Sequence, residues 1–322
     1  MLVHARLNVP ADLTPRVRDL LLDQEWATNL TLVEGASLEP EGDLIECDLA
    51  RELAGEVLDR LVELGLGERG GIVLTTPSGT PFAAAQRLEA AAPSHPDDAV
   101  MWDSVEATAT AGSVPTVSFH VFLVLAVALA SIAVITDSSV LVVGAMVVGP
   151  EFSAVAAVSA GVVLGRSALI WRSLRLLVLS FGFAVGVVAV LALVARATGL
   201  VVAADVTAPR PNTGFIWHPD AWSFIVALLA GAAGALALAI QKTATMVGVF
   251  ISVTTVPAAG NLALGLAVWE RGEMLGSIEQ LGANIGGMIL SGSVLLALMR
   301  WRWAELSAFS EKVFGSQSAS VL

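Results

Sequence analysis

LVVGAMVVGPEFSAVAAVSAGVVLG, residues 141–165, is the stretch on which the reading of this chain turns. It is long enough to cross a bilayer, which takes about 20 apolar residues. At its centre stand Gly149, Pro150 and a carboxylate, Glu151. Proline removes an amide donor and clashes with the preceding turn, so it frees carbonyls that hydrocarbon cannot satisfy. A carboxylate beside it costs on the order of 3 kcal/mol on membrane-insertion scales, so it must face a cavity, find a partner or carry a proton. Two readings of Glu151 follow. It is a pathway or ion-coupling group, or it is architecture that satisfies the carbonyls freed at Pro150 or pairs with a neighbouring subunit.

The rest of the composition agrees with a membrane protein. Of 322 residues, 56% are hydrophobic and 14% charged, with a mean hydropathy of +0.78, outside the range of soluble globular chains. Charge is split unevenly: residues 1–116 hold 20 Asp and Glu against 7 Lys and Arg, and residues 117–322 hold 9 against 10. An acidic, water-soluble part therefore precedes an apolar one. The acidity argues against nucleic-acid binding, which needs clustered Lys and Arg. The single cysteine, Cys47, excludes an internal disulfide and a cysteine-based metal cluster. No secretory h-region opens the chain, so the first span, near residue 118, is expected to direct insertion.

Apolar runs at 118–135, 138–165, 174–195, 221–240, 243–269 and 281–299 predict six spans. Arg166, Arg172, Arg175, Lys242, Arg300 and Arg302 fall in one set of loops. The other set is mostly acidic, with Arg196, Arg210 and Arg271 as its basic residues. The positive-inside rule then puts both termini in the cytoplasm of a multi-pass cell-membrane protein. Trp171, Trp301 and Trp303 mark one interface, and Trp217, Trp222 and Trp269 the other.

The six divide into two sets of three, each with an over-long middle member. The second breaks at Gly149-Pro150 and the fifth at Pro257, with echoing stretches VGAMVVGP (143–150) and VGVFISVTTVP (247–257). Antiparallel broken helices in matching positions predict a 3+3 inverted repeat with a transporter-type site at the breaks. The candidate pathway or coupling residues are Glu151, Pro150, Gly149, Pro257, Asn261, Asn284 and Asp137. Asn261 is the polar counterpart of Glu151, Asn284 lies in the sixth span, and Asp137 sits at the outer mouth. Gly161/Gly165, Gly182/Gly186 and Gly282/Gly286 have the spacing for close helix approach, within the subunit or in a homo-oligomer.

Residues 1–76 read as two β-α-β units: strands LVHARLNV, TNLTLVEG, DLIECDLA and GGIVLTT, with amphipathic helices in LTPRVRDLLLDQ and RELAGEVLDRLVELGL. The order βαββαβ is the ferredoxin-like arrangement. The fold class expected is thus an α+β soluble domain followed by an all-α polytopic membrane domain. The divisions are 1–76, a connector at 77–117 with an amphipathic helix near 97–112, spans at 118–302, and a tail at 303–322. His4 and Cys47 make a conceivable metal pair but do not complete a site. No cofactor and no metal are expected.

This order of parts, with VGAMVVGPEF and then VGVFISVTTVP, resembles the uncharacterised membrane family catalogued as domain of unknown function 389. The resemblance spans about residues 1–300. It implies the architecture above and no activity. Many relatives carry an apolar residue where this chain has Glu151, while others share GPEF. The second motif resembles a double proline, of which only Pro257 is present here.

No zinc-binding His pair, nucleophile elbow or phosphate loop appears, so an enzyme is not expected. A transporter or channel for a cation or proton-coupled small solute is the leading expectation. A membrane-tethered sensor or scaffold is the alternative.

Overall fold

The computed structural model describes residues 2–23, 26–77, 79–91, 100–241 and 254–314. The chain falls into two compact units, residues 1–103 with 302–322 and residues 104–301.

In the first unit, β1 (Leu2–Pro10), β2 (Ala27–Leu38), β3 (Glu41–Ala50) and β4 (Gly71–Thr75) form one sheet in the order β2-β3-β1-β4. Every neighbouring pair is antiparallel. α1 (Thr14–Leu22) joins β1 to β2, and α2 (Arg51–Glu63) with the short α3 (Leu66–Arg69) joins β3 to β4. Alternation on β1 sends Val3, Ala5, Leu7 and Val9 to one face. There they meet Val17 and Leu21 of α1 and Val57 and Leu61 of α2. Leu2 belongs to a second cluster, with Ala50 and with Ala85 and Leu88 of α4 (Ala83–Ala91). That helix lies inside the expected connector, 77–117, for which only a helix near 97–112 is expected.

In the sheet His4 pairs with Asp48 and Ala5 with Cys47, so His4 and Cys47 point to opposite faces. His4 Nδ1 bonds Asp48 Oδ1 at 2.9 Å, and Cys47 is buried in the core. The conceivable metal pair is therefore excluded by strand geometry.

The second unit is helical: α5 (Trp102–Gly112, entering it at Ser104), α6 (Val117–Ile135), α7 (Ser139–Val148), α8 (Phe152–Leu164), α9 (Ser167–Ala197), α10 (Ala203–Thr207), α11 (Ala221–Ala239), α12 (Thr255–Val268) and α13 (Arg271–Phe314, leaving it at Arg302). Among the described residues, four helices are long and apolar enough to cross a membrane: Val117–Ile135, Ser167–Ala197, Ala221–Ala239 and Arg271–Arg302. The pair α7 and α8, bent by 56°, makes a fifth if it counts as one span. This is the architecture of a membrane protein. Of the expected fifth span, residues 243–253 lie outside the described residues, as do Lys242, Asp97 and Asp98.

Thr116, Ser138 and Asp220 cap α6, α7 and α11 through their side-chain oxygens. The bend between α7 and α8 falls at Gly149-Pro150, where the ladder loses a donor. Gly165 ends α8 at φ 68°, a left-handed position that glycine adopts without strain. The end of α5 lies on α8 and α9: Arg172 donates to the carbonyls of Thr110 and Ser113, and Arg166 pairs with Glu106 at 3.0 Å.

α12 is buried on nearly every side, from Thr255 to Asn261 and again at Ala263–Gly265, and it packs against α6 and α9. Gly260 permits this, since a Cβ there would lie 2.7 Å from Ala130 Cβ. Ser131 Oγ then donates to the Gly260 carbonyl at 3.0 Å. Of the glycines with close-approach spacing, Gly161 meets Ile170, whereas Gly182, Gly186, Gly282 and Gly286 have no neighbour within 4 Å of a would-be Cβ.

Candidate functional site

A helix buried among helices has to satisfy its polar side chains internally. α13 presents Glu273, Ser277, Gln280 and Asn284, all buried, at the spacing of one helical face. That face meets α12 and the residue before it.

The first cluster lies at the start of α13. Asn261 Nδ2 donates to Glu273 Oε2 at 2.7 Å and to Ser277 Oγ at 2.9 Å. Arg210 Nη1 donates to Asn261 Oδ1 at 2.7 Å, and Arg210 Nη2 donates to Glu273 Oε1 at 2.5 Å. Arg210 is 8% exposed and Glu273 4%. The guanidinium also stands 6.0 Å from the Trp217 ring centroid. Every oxygen of Glu273 and every polar atom of the Asn261 amide has a partner.

The second cluster lies one to two turns further along α13. Gln280 Nε2 and Asn284 Nδ2 both donate to Thr254 Oγ1, at 2.9 and 2.8 Å. The next residue, Thr255, donates its hydroxyl to Glu151 Oε1 at 2.7 Å. Glu151 is 8% exposed. Its Oε2 has no hydrogen-bond partner among the described residues, and neither has Gln280 Oε1. Glu151 opens α8 and Thr255 opens α12, so the carboxyl stands by two helix N-termini, whose partial positive charge favours it.

Gly149 is buried because the Glu151 carboxyl and Val256 occupy the space a Cβ would need. Pro150 supplies the break and is half-buried. Pro257 sits in the first turn of α12, where a missing N–H costs no ladder bond; the part of the expected broken span that precedes Thr254 lies outside the described residues. The break at Gly149–Glu151 and the start of α12 do meet, through Thr255. Asn284 joins this cluster through Thr254.

Asn261 turns to Arg210 and Glu273 and shares no hydrogen bond with Glu151. Asp137 lies apart from both clusters, with φ 44°. It accepts from Asn212 Nδ2 at 2.9 Å, from Asn212 N at 3.2 Å and from Thr213 Oγ1 at 2.8 Å. Burial by itself raises the Asp137 carboxyl, but the bonds from Thr213 and Asn212 outweigh it and hold it below the usual carboxylate range.

Residues 146–290 match the family described as Domain of unknown function (DUF389). That is the family the sequence resembles. The matched stretch contains the bend, both clusters and the segment that carries Arg210. No curated protein and no solved structure matches the chain.

Arg210, Glu273, Thr255 and Gln280 were not among the candidates read from the sequence. Arg210 and Glu273 both fall between the apolar runs, in the stretches that read as loops. The expected sixth span began at residue 281, whereas the helix begins at Arg271. One available signal was the spacing 273, 277, 280, 284, which places four polar residues on one face.

Proposed function

We propose that the helical unit is a transporter or channel for a cation or a proton-coupled small solute, and not an enzyme. In this reading it has six spans in a 3+3 inverted arrangement, the second and fifth broken, with both termini cytoplasmic in the cell membrane. The N-terminal unit is a ferredoxin-like module that regulates the protein or assembles it as a homo-oligomer.

One observation carries the reading. A stripe of buried polar side chains runs from Glu273 through Ser277, Gln280 and Asn284 and continues through Thr254 and Thr255 to Glu151, inside apolar helices. Intramembrane polar groups are expensive, and they cluster where ions or protons pass. Glu151 Oε2 and Gln280 Oε1, which have no hydrogen-bond partner among the described residues, support a positively charged or proton-donating occupant.

Ion and proton flux into liposomes, wild type beside Glu151→Gln, tests the reading. Flux that falls in the variant while folding is unchanged supports it. Flux that is cation-independent and equal in both sinks it.

A second reading, a membrane-tethered sensor or scaffold, is favoured by a shallow groove between α1 and α2. Arg16, Asp19, Asp23, Arg60 and Glu63 line it with both signs of charge. Absence of flux under all gradients favours this second reading.

A further inference from the structure

The segment between α9 and α11 sends a charge into the helical unit. Val206 and Ile216 are fully buried and anchor its two ends. Between them the loop APRPNTG, 208–214, carries Arg210 with a proline on either side. Asp137 holds the outer part of this loop through Asn212 and Thr213, while Arg210 holds the inner part through Asn261 and Glu273.

A loop that served only as a staple has no need of a charge at its centre, since the apolar anchors already fix it. Replacing a buried ion pair by apolar residues of similar volume is often neutral or stabilising, so stability is a weak reason to keep one. The acceptors around the guanidinium come from elsewhere: Glu273 from α13 and Asn261 from α12. If the loop withdraws, a carboxylate and an amide oxygen remain facing the vacated position, in a buried setting where an unpaired carboxylate demands a counter-ion.

We propose that Arg210 is a tethered cation filling a cation-binding site made by Glu273 and Asn261. Loop 208–214 is the gate over that site, and when the gate lifts the site takes a monovalent cation that carries N–H donors, a guanidinium or a primary ammonium, as the Arg210 contacts do. This rests on the reading of the polar stripe as a pathway.

The test follows accessibility, which needs no flux. Full-length protein in lipid nanodiscs, with Cys47→Ala to remove the native thiol, carries the reporter Ser277→Cys beside Asn261. A methanethiosulfonate bearing a trimethylammonium group labels it. Labelling is expected to be slow in this parent and at least about tenfold faster with Asp137→Asn, which weakens charge-assisted bonds of the loop. With Arg210→Gln it is faster again, and there millimolar guanidinium chloride slows it while equimolar choline chloride does not.

Asp137→Asn leaves the buried pair in place and remains informative if Arg210→Gln fails to fold. Equal labelling in the parent and in folded Asp137→Asn overturns the gate. Faster labelling in Arg210→Gln that guanidinium leaves unchanged overturns the cation site. Absent flux with an intact labelling response overturns the transport reading alone.

Discussion

Glu273 and Glu151 are the same residue type, both buried among apolar helices, yet they are satisfied in opposite ways. Glu273 faces a guanidinium and an amide, and each oxygen has a partner. Glu151 accepts from one hydroxyl, and its other oxygen has no hydrogen-bond partner among the described residues. The paired carboxylate is a lock, because removing either partner strands a charge. The half-satisfied one is not held in this way: among the described residues its partner is one hydroxyl, that of Thr255. Burial alone therefore does not make an intramembrane acid structural or functional; its partners do.

The largest effect that would break this contrast is expected at the lock. Arg210→Met leaves Glu273 buried without a counter-charge and should cost about 3–5 kcal/mol, read from unfolding in mixed micelles. Adding Glu273→Leu should recover part of that loss, since no charge is then stranded and only Asn261 Oδ1 loses its donor. If the single variant is as stable as wild type, the two carboxylates do not differ in the way described.

Next comes the packing that brings the two sites together. Gly260→Ala pushes a methyl against Ala130 and the Ser131 backbone and should cost about 1–3 kcal/mol by the same assay. At Glu151 the effect is smaller. Glu151→Gln keeps an acceptor for Thr255 and the size of the side chain, so stability should change by no more than about 1 kcal/mol while flux falls. A Glu151→Gln variant as unstable as Arg210→Met would make Glu151 a structural lock as well.

The smallest effect lies in the other unit, where carboxylates meet water. The hydroxyl of Thr14, 2.6 Å away, and then the Gly35 amide hold the Asp43 carboxyl below its ordinary value. A lowered folded pKa gives stability that is present above the unfolded value, about 3.9, and lost as the pH falls through the folded one. The sheet unit of the full-length protein should therefore loosen on acidification through that window. Thr14→Ala should flatten the dependence, followed by the modification rate of Cys47. That thiol is a quiet reporter while folded, pushed up to about 12 by burial and then by Asp48.

Much of this was legible in the chain. Strands and helices of the first unit were placed within a few residues, because period-2 and period-3.6 patterns survive wherever one face is wet. The break at Gly149-Pro150 and the acid behind it stood out for the opposite reason: nothing polar surrounds them. Glu273 and Arg210 were hidden. Each lies next to turns, and a hydropathy window averages a charged residue into the loop beside it whether or not the side chain folds inward.

Sequence alone determined that this chain lives in a membrane behind an acidic soluble part, because composition and the length of apolar runs are sums over neighbours along the chain. It also determined where one helix must bend, because proline cannot donate. Only the tertiary structure decided which polar groups share a site. Arg210, Asn261 and Glu273 are brought together by the packing of α12 against α13 and by a loop anchored at Val206 and Ile216. Partnership between residues 51 and 63 positions apart is a property of packing, which no local pattern records.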